Sequence, residues 1–263
     1  MSWMSSLPAG VLVAGWLALA LIVAAGGRLA VRALVPASDA EHVSQIAAPL
    51  MPALGAAFAI FAGLTLAGEA SYLRSAESLV SDEASAASRL AWAATSQGVD
   101  QGSIHSALEH YLQKTRTREW ADQDEEGGDD PATTRAIARL EQVVRAQAAQ
   151  PELGSPPSSE LLTSLDAVTS ARRARIAAAS RQVPALYVGT LVASGLALIA
   201  NAGALTFRSR LRTSVLVVGL AMVVGLSMAL LFSLTAPWRG PLIVSGHPLD
   251  AIIHDLETGF FGR

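Results

Sequence analysis

Four long stretches without charged residues divide the chain. They cover residues 9–27, 46–68, 183–207 and 214–236. Each is close to the roughly 20 apolar residues that a helix needs to cross the hydrocarbon core of a bilayer. Residues 69–182, between the second and third stretches, are polar. The pattern predicts an all-α protein with four transmembrane helices and a large helical insert between spans two and three.

Within the insert, apolar residues recur every three or four positions, which is the spacing of amphipathic helices. The four apolar faces consist of Leu73, Ala76, Val80, Ala84, Ala87, Leu90 and Ala94; of Ile104, Leu108, Tyr111 and Leu112; of Ile137, Leu140 and Val144; and of Leu161, Leu165, Val168 and Ile176. An amphipathic helix cannot bury its apolar stripe alone. We therefore expect these helices to pack together or against copies of the chain.

Sequence signals also predict where several helices begin and end. Glu69–Thr95 follows the second span with no Pro or Gly, so one continuous helix is expected to leave the membrane and enter the insert. Pro49 and Pro52 are expected in its first turns, where a missing backbone N–H costs least. Ser103 and the pair Asp130-Pro131 are the predicted starts of two later insert helices.

These boundaries predict four parts of the chain. Spans one and two occupy residues 1–68, the polar insert 69–182, spans three and four 183–238, and a tail 239–263. In the tail, one helix face carries Leu249, Ile252, Ile253 and Leu256. We expect this amphipathic helix either to lie on the membrane surface or to dock on the insert.

Composition supports a multi-pass protein of the cell membrane, with the lipid bilayer as its main partner. Hydrophobic residues make up 51% of the chain and charged residues 16%, and the mean hydropathy is +0.39. The net charge of −3 gives no reason to expect a nucleic-acid partner. Cysteine is absent, which excludes disulfides and thiolate chemistry.

No sequence signature of catalysis is present. The chain lacks GxxxxGK, GxGxxG, HExxH and GxSxG, the common patterns for phosphate, dinucleotide, zinc and acyl-transfer sites. We therefore expect neither an enzyme nor a bound cofactor.

The sequence also predicts no metal site. His105 and His110 are about 140° apart around a helix, since an α-helix has 3.6 residues per turn. A proline separates His247 from His254. The acidic run at residues 122–130 lacks the ordered alternation and closing Glu of a calcium loop, so it is expected to be a solvated loop.

The distribution of arginines favours an insert outside the cell, because the positive-inside rule gives long loops less weight than short connectors. Positive charge in the two short connectors would place those connectors in the cytoplasm and the insert outside. These residues are Arg28, Arg32, Arg208, Arg210 and Arg212. The opposite orientation is favoured by four arginines near the end of the insert: Arg172, Arg173, Arg175 and Arg181.

Several short fragments, in a fixed order, resemble the bacterial bestrophin-like domain family. They are VRALVP at Val31–Pro36, His42, Gly55 with Phe58, Glu77, Glu119-Trp120, Arg172-Arg173, Val183-Pro184 and Pro237-Trp238-Arg239-Gly240. The resemblance spans nearly the whole chain. It implies the plan of bestrophins, which are pentameric anion channels whose second span lines the pore with an apolar neck. It also implies that both termini and the insert lie in the cytosol.

Two functions remain open at this point. The first is a homo-oligomeric channel for small anions, lined by Phe58, Phe61 and Thr65 of the second span. The two phenylalanines would form an apolar constriction that gates by dewetting, unless both rings only pack against neighbouring helices or lipid. The second is a non-conducting membrane scaffold or sensor whose helical insert binds a partner protein.

Small and polar residues in the spans indicate how the helices pack. Gly55, Ala59 and Gly63 fall every four positions on the second span, a stripe that lets helices approach closely in lipid. Asn201 is the one strongly polar residue in the spans. It is expected to form a hydrogen bond between helices or, alternatively, to lie on an ion path.

Overall fold

The computed structural model describes residues 9–36, 40–120, 129–181, 184–207, 211–234, 238 and 244–262. These residues form helices and turns, with no strand among them, so the all-α prediction is confirmed. Four of the helices are long and apolar enough to cross a membrane.

Eight α-helices are present in the described part of the chain. They are α1 (Ala9–Leu34), α2 (Ala40–Ala93), α3 (Gln101–Lys114), α4 (Pro131–Ala148), α5 (Ser155–Ala179), α6 (Ala185–Leu205), α7 (Leu211–Leu234) and α8 (His247–Glu257). A π turn, Thr115–Glu119, extends α3, and short 3-10 turns are found at Pro151–Leu153 and Phe260–Gly262.

The chain divides into two compact units. The membrane unit lies within Met1–Tyr72 and Gln182–Ile243, and the insert unit within Leu73–Arg181 and Val244–Arg263. The helix α2 contributes residues 40–72 to the membrane unit and residues 73–93 to the insert unit. Residues 244–262 of the tail belong to the same compact unit as the insert.

The helix α2 runs without a break for 54 residues, as the absence of Pro and Gly after residue 68 predicts. Its start differs from the prediction, because the polar residues before the apolar stretch are already helical. Pro49 and Pro52 consequently lie inside the helix rather than in its first turns. In this stretch, the Asn201 side chain of α6 donates a hydrogen bond to the carbonyl of Ala47 at 2.9 Å. The interhelical hydrogen bond expected of Asn201 is thus confirmed.

Two helices of the insert unit begin at an aspartate whose side chain accepts hydrogen bonds from the free N–H groups of the first turn. Asp130 caps α4 as predicted, accepting the N–H groups of Ala132 and Thr133 at 2.9 Å. The predicted cap at Ser103 is wrong: α3 begins earlier, and the carboxylate of Asp100 accepts the Ser103 N–H at 3.2 Å. A carboxylate is a strong cap because its charge also favours the positive end of the helix dipole.

The predicted apolar stripes form the core of the insert unit. Val80 and Leu90 of α2, Leu108 of α3, Leu140 of α4 and Leu161 of α5 are all completely buried. Residues 244–262 of the tail pack on this unit, which is the docking on the insert that was one of the two expectations. Leu249 and Leu256 of α8 are buried, and so is Phe261, whose ring contacts Trp92 and His105.

Close backbone approach characterises the membrane unit. A Cβ atom placed on Gly27 would lie 2.5 Å from the carbonyl oxygen of Ala200. One placed on Gly203 would overlap the carbonyl oxygen of Ala24. Since α1 and α6 meet backbone to backbone at these points, only glycine fits there.

Candidate functional site

Among the described apolar helices, the membrane part of α2, like α1, is covered by its own chain much less than α6 and α7. Of its most apolar window, 11% is buried within the chain, against 17% for α1 and 39% for both α6 and α7. Most of this part of α2 is therefore available to lipid or to further copies of the chain.

The structure does not place both phenylalanines of this helix on one surface. Phe58 is 7% exposed and belongs to the core of the membrane unit, where a Cβ atom on Gly195 would lie 3.1 Å from its ring. Phe61 is 40% exposed. Thr65 is partly exposed, and its hydroxyl donates to the carbonyl of Phe61 at 2.7 Å. The three residues thus run from a covered face of α2 to an uncovered one.

The stripe of small residues lies away from the chain's own contacts. Ala59 and Gly63 are exposed and Gly55 is partly exposed. A Cβ atom on Gly55 or Gly63 would meet no described atom within 4 Å. Ala59 and Phe61 lie on opposite sides of the helix, because two residues correspond to about 200° of rotation. The helix therefore presents two different free faces, one of small residues and one with a large aromatic ring.

A second cluster, in the insert unit, consists of four buried ions. Glu83 of α2, Glu119 of the π turn, and Arg172 and Arg175 of α5 are all at most 8% exposed. Arg175 donates to Glu83 and to Glu119, each at 2.5 Å, and Arg172 donates to Glu119 at 2.6 Å. We call these four residues the ion network. Their two positive and two negative charges balance, as buried ions must.

Tyr111 completes the ion network from α3. It is completely buried, and its hydroxyl donates to Glu83. Burial, together with the neighbouring Glu83 carboxylate, raises the pKa of Tyr111 well above its usual value, so the phenol stays protonated as a donor. Burial alone would lower the pKa of Arg175, but Glu83 and Glu119 outweigh it and raise that pKa. Tyr111 and Arg175 therefore both keep their protons, one as a neutral donor and the other as a cation.

The π turn aligns Glu119 with this network. In a regular α-helix, the side chains of Tyr111 and Glu119 would point in directions about 80° apart around the helix axis. The reason is that eight residues make slightly more than two turns of 3.6 residues. A π turn holds more residues per turn and removes most of that offset. Tyr111, Thr115 and Glu119 are consequently all buried on one side.

At its rim, the network reaches the start of α4. Arg172 also donates to Asp129 at 3.0 Å and to Thr134 at 3.1 Å. The hydroxyl of Thr134 donates to Asp129, and this bond, more than the charge of Arg172, lowers the pKa of Asp129 against the opposing effect of burial. The ion network thus ties together all four helices of the insert.

The sequence pattern did not lead us to Glu83, and Arg175 was considered only as one of the arginines that bear on the orientation in the membrane. A signal was present, because Glu83 lies three residues after Val80 on an apolar stripe, and Arg172 and Arg175 continue the stripe of Val168. A charged residue on such a stripe needs a buried partner. No group of acidic or histidine side chains among the described residues could hold a metal ion. The acidic run at 122–128 lies outside the described residues.

Comparisons with known proteins agree on one family. The sequence matches the family described as Bestrophin-like domain over residues 18–249. Among solved structures, the chain is similar to that of a bacterial bestrophin homolog from Klebsiella pneumoniae that carries a point mutation. The TM-score is 0.72 at 16% sequence identity, covering 93% of this chain and 99% of the other. A search of curated proteins gave no match.

Proposed function

The chain belongs to the bestrophin-like family, and on that premise we propose that it forms a homo-oligomeric channel for small anions in the cell membrane. The observation that carries the proposal is the free surface of α2, which its own chain covers far less than it covers α6 and α7. A ring of copies built around α2 would use both of its free faces, one for the neighbouring copy and one for the pore.

Within this ring, each predicted residue has a distinct role. Phe61 narrows the pore with its partly exposed ring, and Thr65 lies about one turn farther along. Phe58, which its own chain buries, fixes the rotation of α2 against Gly195 and its neighbours. An apolar constriction of this kind holds back ions by dewetting. Gly55, Ala59 and Gly63 allow the neighbouring copy to approach closely.

Chloride efflux from liposomes tests this proposal. We expect Phe61→Ala to raise the efflux per folded oligomer, because a smaller side chain wets the constriction. The matched control is Ile60→Ala, which truncates an exposed side chain on the same helix, about 100° away. If only Ile60→Ala raises the efflux, the protein is still a channel, but the face of α2 opposite Phe58 lines its pore.

Two further results would contradict the proposal that the protein is a channel. An unchanged efflux in both variants, with folded oligomers, would favour the scaffold or sensor whose insert binds a partner protein. A monomeric native mass would also exclude a pore built from several copies. Replacing chloride by a large anion, and potassium by a large cation, separates anion from cation conduction.

We also propose four membrane spans, with the insert and both ends of the chain on the same side. The support is the even number of apolar helices, four, in the described part of the chain and the polar stretch after the second. Reporter fusions after Val35, Gln150 and Arg263 should place the first on one side and the other two on the opposite side. The same fusions decide between the cytosolic insert implied by the family and the external insert favoured by the short connectors.

A further inference from the structure

The C-terminal segment, residues 244–262, makes a few polar contacts with the insert in addition to burying its apolar side chains. The guanidinium of Arg116 donates to the carboxylate of Asp250 at 2.5 and 3.0 Å. The indole N–H of Trp120 donates to the carbonyl of Val244 at 3.2 Å. A Cβ atom on Gly246 would overlap the guanidinium of Arg116, so the segment lies directly against that group.

Trp120 also contacts the ion network. The guanidinium carbon of Arg175 lies 5.1 Å from the centre of its ring, and that of Arg116 lies 5.3 Å from it. Both distances are within the range of a cation–π interaction. One indole therefore lies next to an arginine of the network and an arginine that binds the tail.

Each of these two arginines has its own carboxylate partners. Arg175 is neutralised by Glu83 and Glu119, and Arg116 by Asp250. Both guanidinium groups contact the same indole, so an arginine that loses its carboxylate partners and shifts is expected to move the ring that the other arginine contacts. A shift of either arginine is therefore expected to alter the contacts of the other.

We propose that Trp120 couples docking of the C-terminal segment to the ion network, so that loosening either one loosens the other. The π turn is the structural basis of this coupling. It directs Glu119 into the network while Arg116, three residues earlier, binds Asp250 of α8. Because coupling between two sites is reciprocal, the effect must be measurable in both directions. The proposal does not depend on ion conduction.

Hydrogen exchange of the full chain in detergent tests the coupling from the tail side. Asp250→Asn removes the charge of a half-exposed carboxylate, so the protein is expected to fold. We expect faster exchange in residues 247–257 and, through Trp120, an increase of at least about fivefold in the α5 amides around Arg172 and Arg175. The matched control is Asp255→Asn on the same helix, which should leave α5 unchanged.

The reverse experiment starts from the ion network. Glu119→Gln should accelerate exchange of residues 247–257 by at least about fivefold. Its control is Glu109→Gln, on the same helix but outside the network. In a Trp120→Leu background, which removes the aromatic ring that both guanidinium groups contact, Asp250→Asn should no longer affect α5.

Either of two results would overturn the proposal. In the first, Asp250→Asn releases the tail while exchange in α5 stays within about twofold of the unmodified protein. In the second, Asp250→Asn leaves the tail itself unchanged, so that the Arg116–Asp250 pair does not hold it. Both depend only on the tail variant, and they remain decisive if Glu119→Gln fails to fold.

Discussion

In the membrane unit, α1 meets α6 where Gly203 faces the carbonyl of Ala24 and Gly27 faces that of Ala200. In the insert unit, the helices are instead separated by Leu, Ile and Tyr side chains around four buried ions. Large apolar side chains pack in the core of both units, and the difference lies in the backbone contact of α1 with α6 in one and the ion network in the other.

The difference follows from the solvent of each unit. Lipid tails are as apolar as Leu, so helices in a bilayer associate mainly through close packing of small residues. In water, burial of apolar stripes is enough to bring helices together. It does not by itself select one arrangement, whereas an ion network is satisfied only when every partner is in place. We infer that the ions fix which helices of the insert pair and in which register.

The largest expected effect comes from breaking the ion network. Arg175→Met removes the group that joins Glu83 to Glu119 and leaves both carboxylates buried. Loss of one partner of a buried ion pair typically costs about 3–5 kcal/mol. Thermal unfolding followed by circular dichroism in detergent should show a clear fall in the midpoint. The control is Arg173→Met, at an exposed neighbouring position, which should change stability by less than about 0.5 kcal/mol.

The sequence predicts the helices of this network but not the network itself. Periodicity identifies Val80, Leu108 and Leu161 as buried because helix spacing is a local property. The bond between Arg175 and Glu83 joins residues 92 positions apart. A single sequence carries no signal that pairs two such distant charges, and the π turn that aligns Glu119 has no simple pattern either.

The candidate pore residues illustrate the same limit. The spacing of Phe58 and Phe61 predicts neighbouring positions on α2, only about 60° apart. Which of the two is buried depends on where Gly195 and its neighbours on α6 and α7 pack, and that contact is not local. The apolar stretch itself, and its continuation into the insert, needed only composition and the absence of Pro and Gly.

The next effect concerns packing in the membrane unit. Gly203→Leu adds a side chain where the backbone of Ala24 leaves no space. Overpacking of this kind costs about 1–3 kcal/mol, so the unfolding midpoint in detergent should fall. Gly189→Leu on the same helix α6 is the matched control, because a Cβ there meets no described atom within 4 Å. Equal midpoints in the two variants would contradict close packing of α1 on α6.

Gly63→Leu extends the same test to contacts between copies. Within one chain this position is open, so a leucine there should leave the fold of a single copy intact. If the small-residue stripe packs against a neighbouring copy, the substitution costs about 1–3 kcal/mol at that contact. We expect native mass measurements to show smaller assemblies. An unchanged oligomer would mean that the stripe faces lipid.

The smallest expected effect lies at the rim of the ion network, where Asp129 is more than half exposed. The Thr134 hydroxyl, and then Arg172, lower the pKa of Asp129 against the effect of burial. A lowered pKa in the folded state stabilises the protein above the ordinary carboxyl pKa, and this contribution is lost as the pH falls through the folded-state value. Because the side chain is exposed, the contribution should be below about 1 kcal/mol.

We expect the thermal unfolding midpoint of Asp129→Asn to be slightly lower than that of the unmodified protein at pH 7, and the difference to shrink as the pH is lowered toward 3. Both proteins share every other carboxylate, so this difference isolates Asp129. A gap that stays constant with pH would show that the charge of Asp129 contributes nothing to the network.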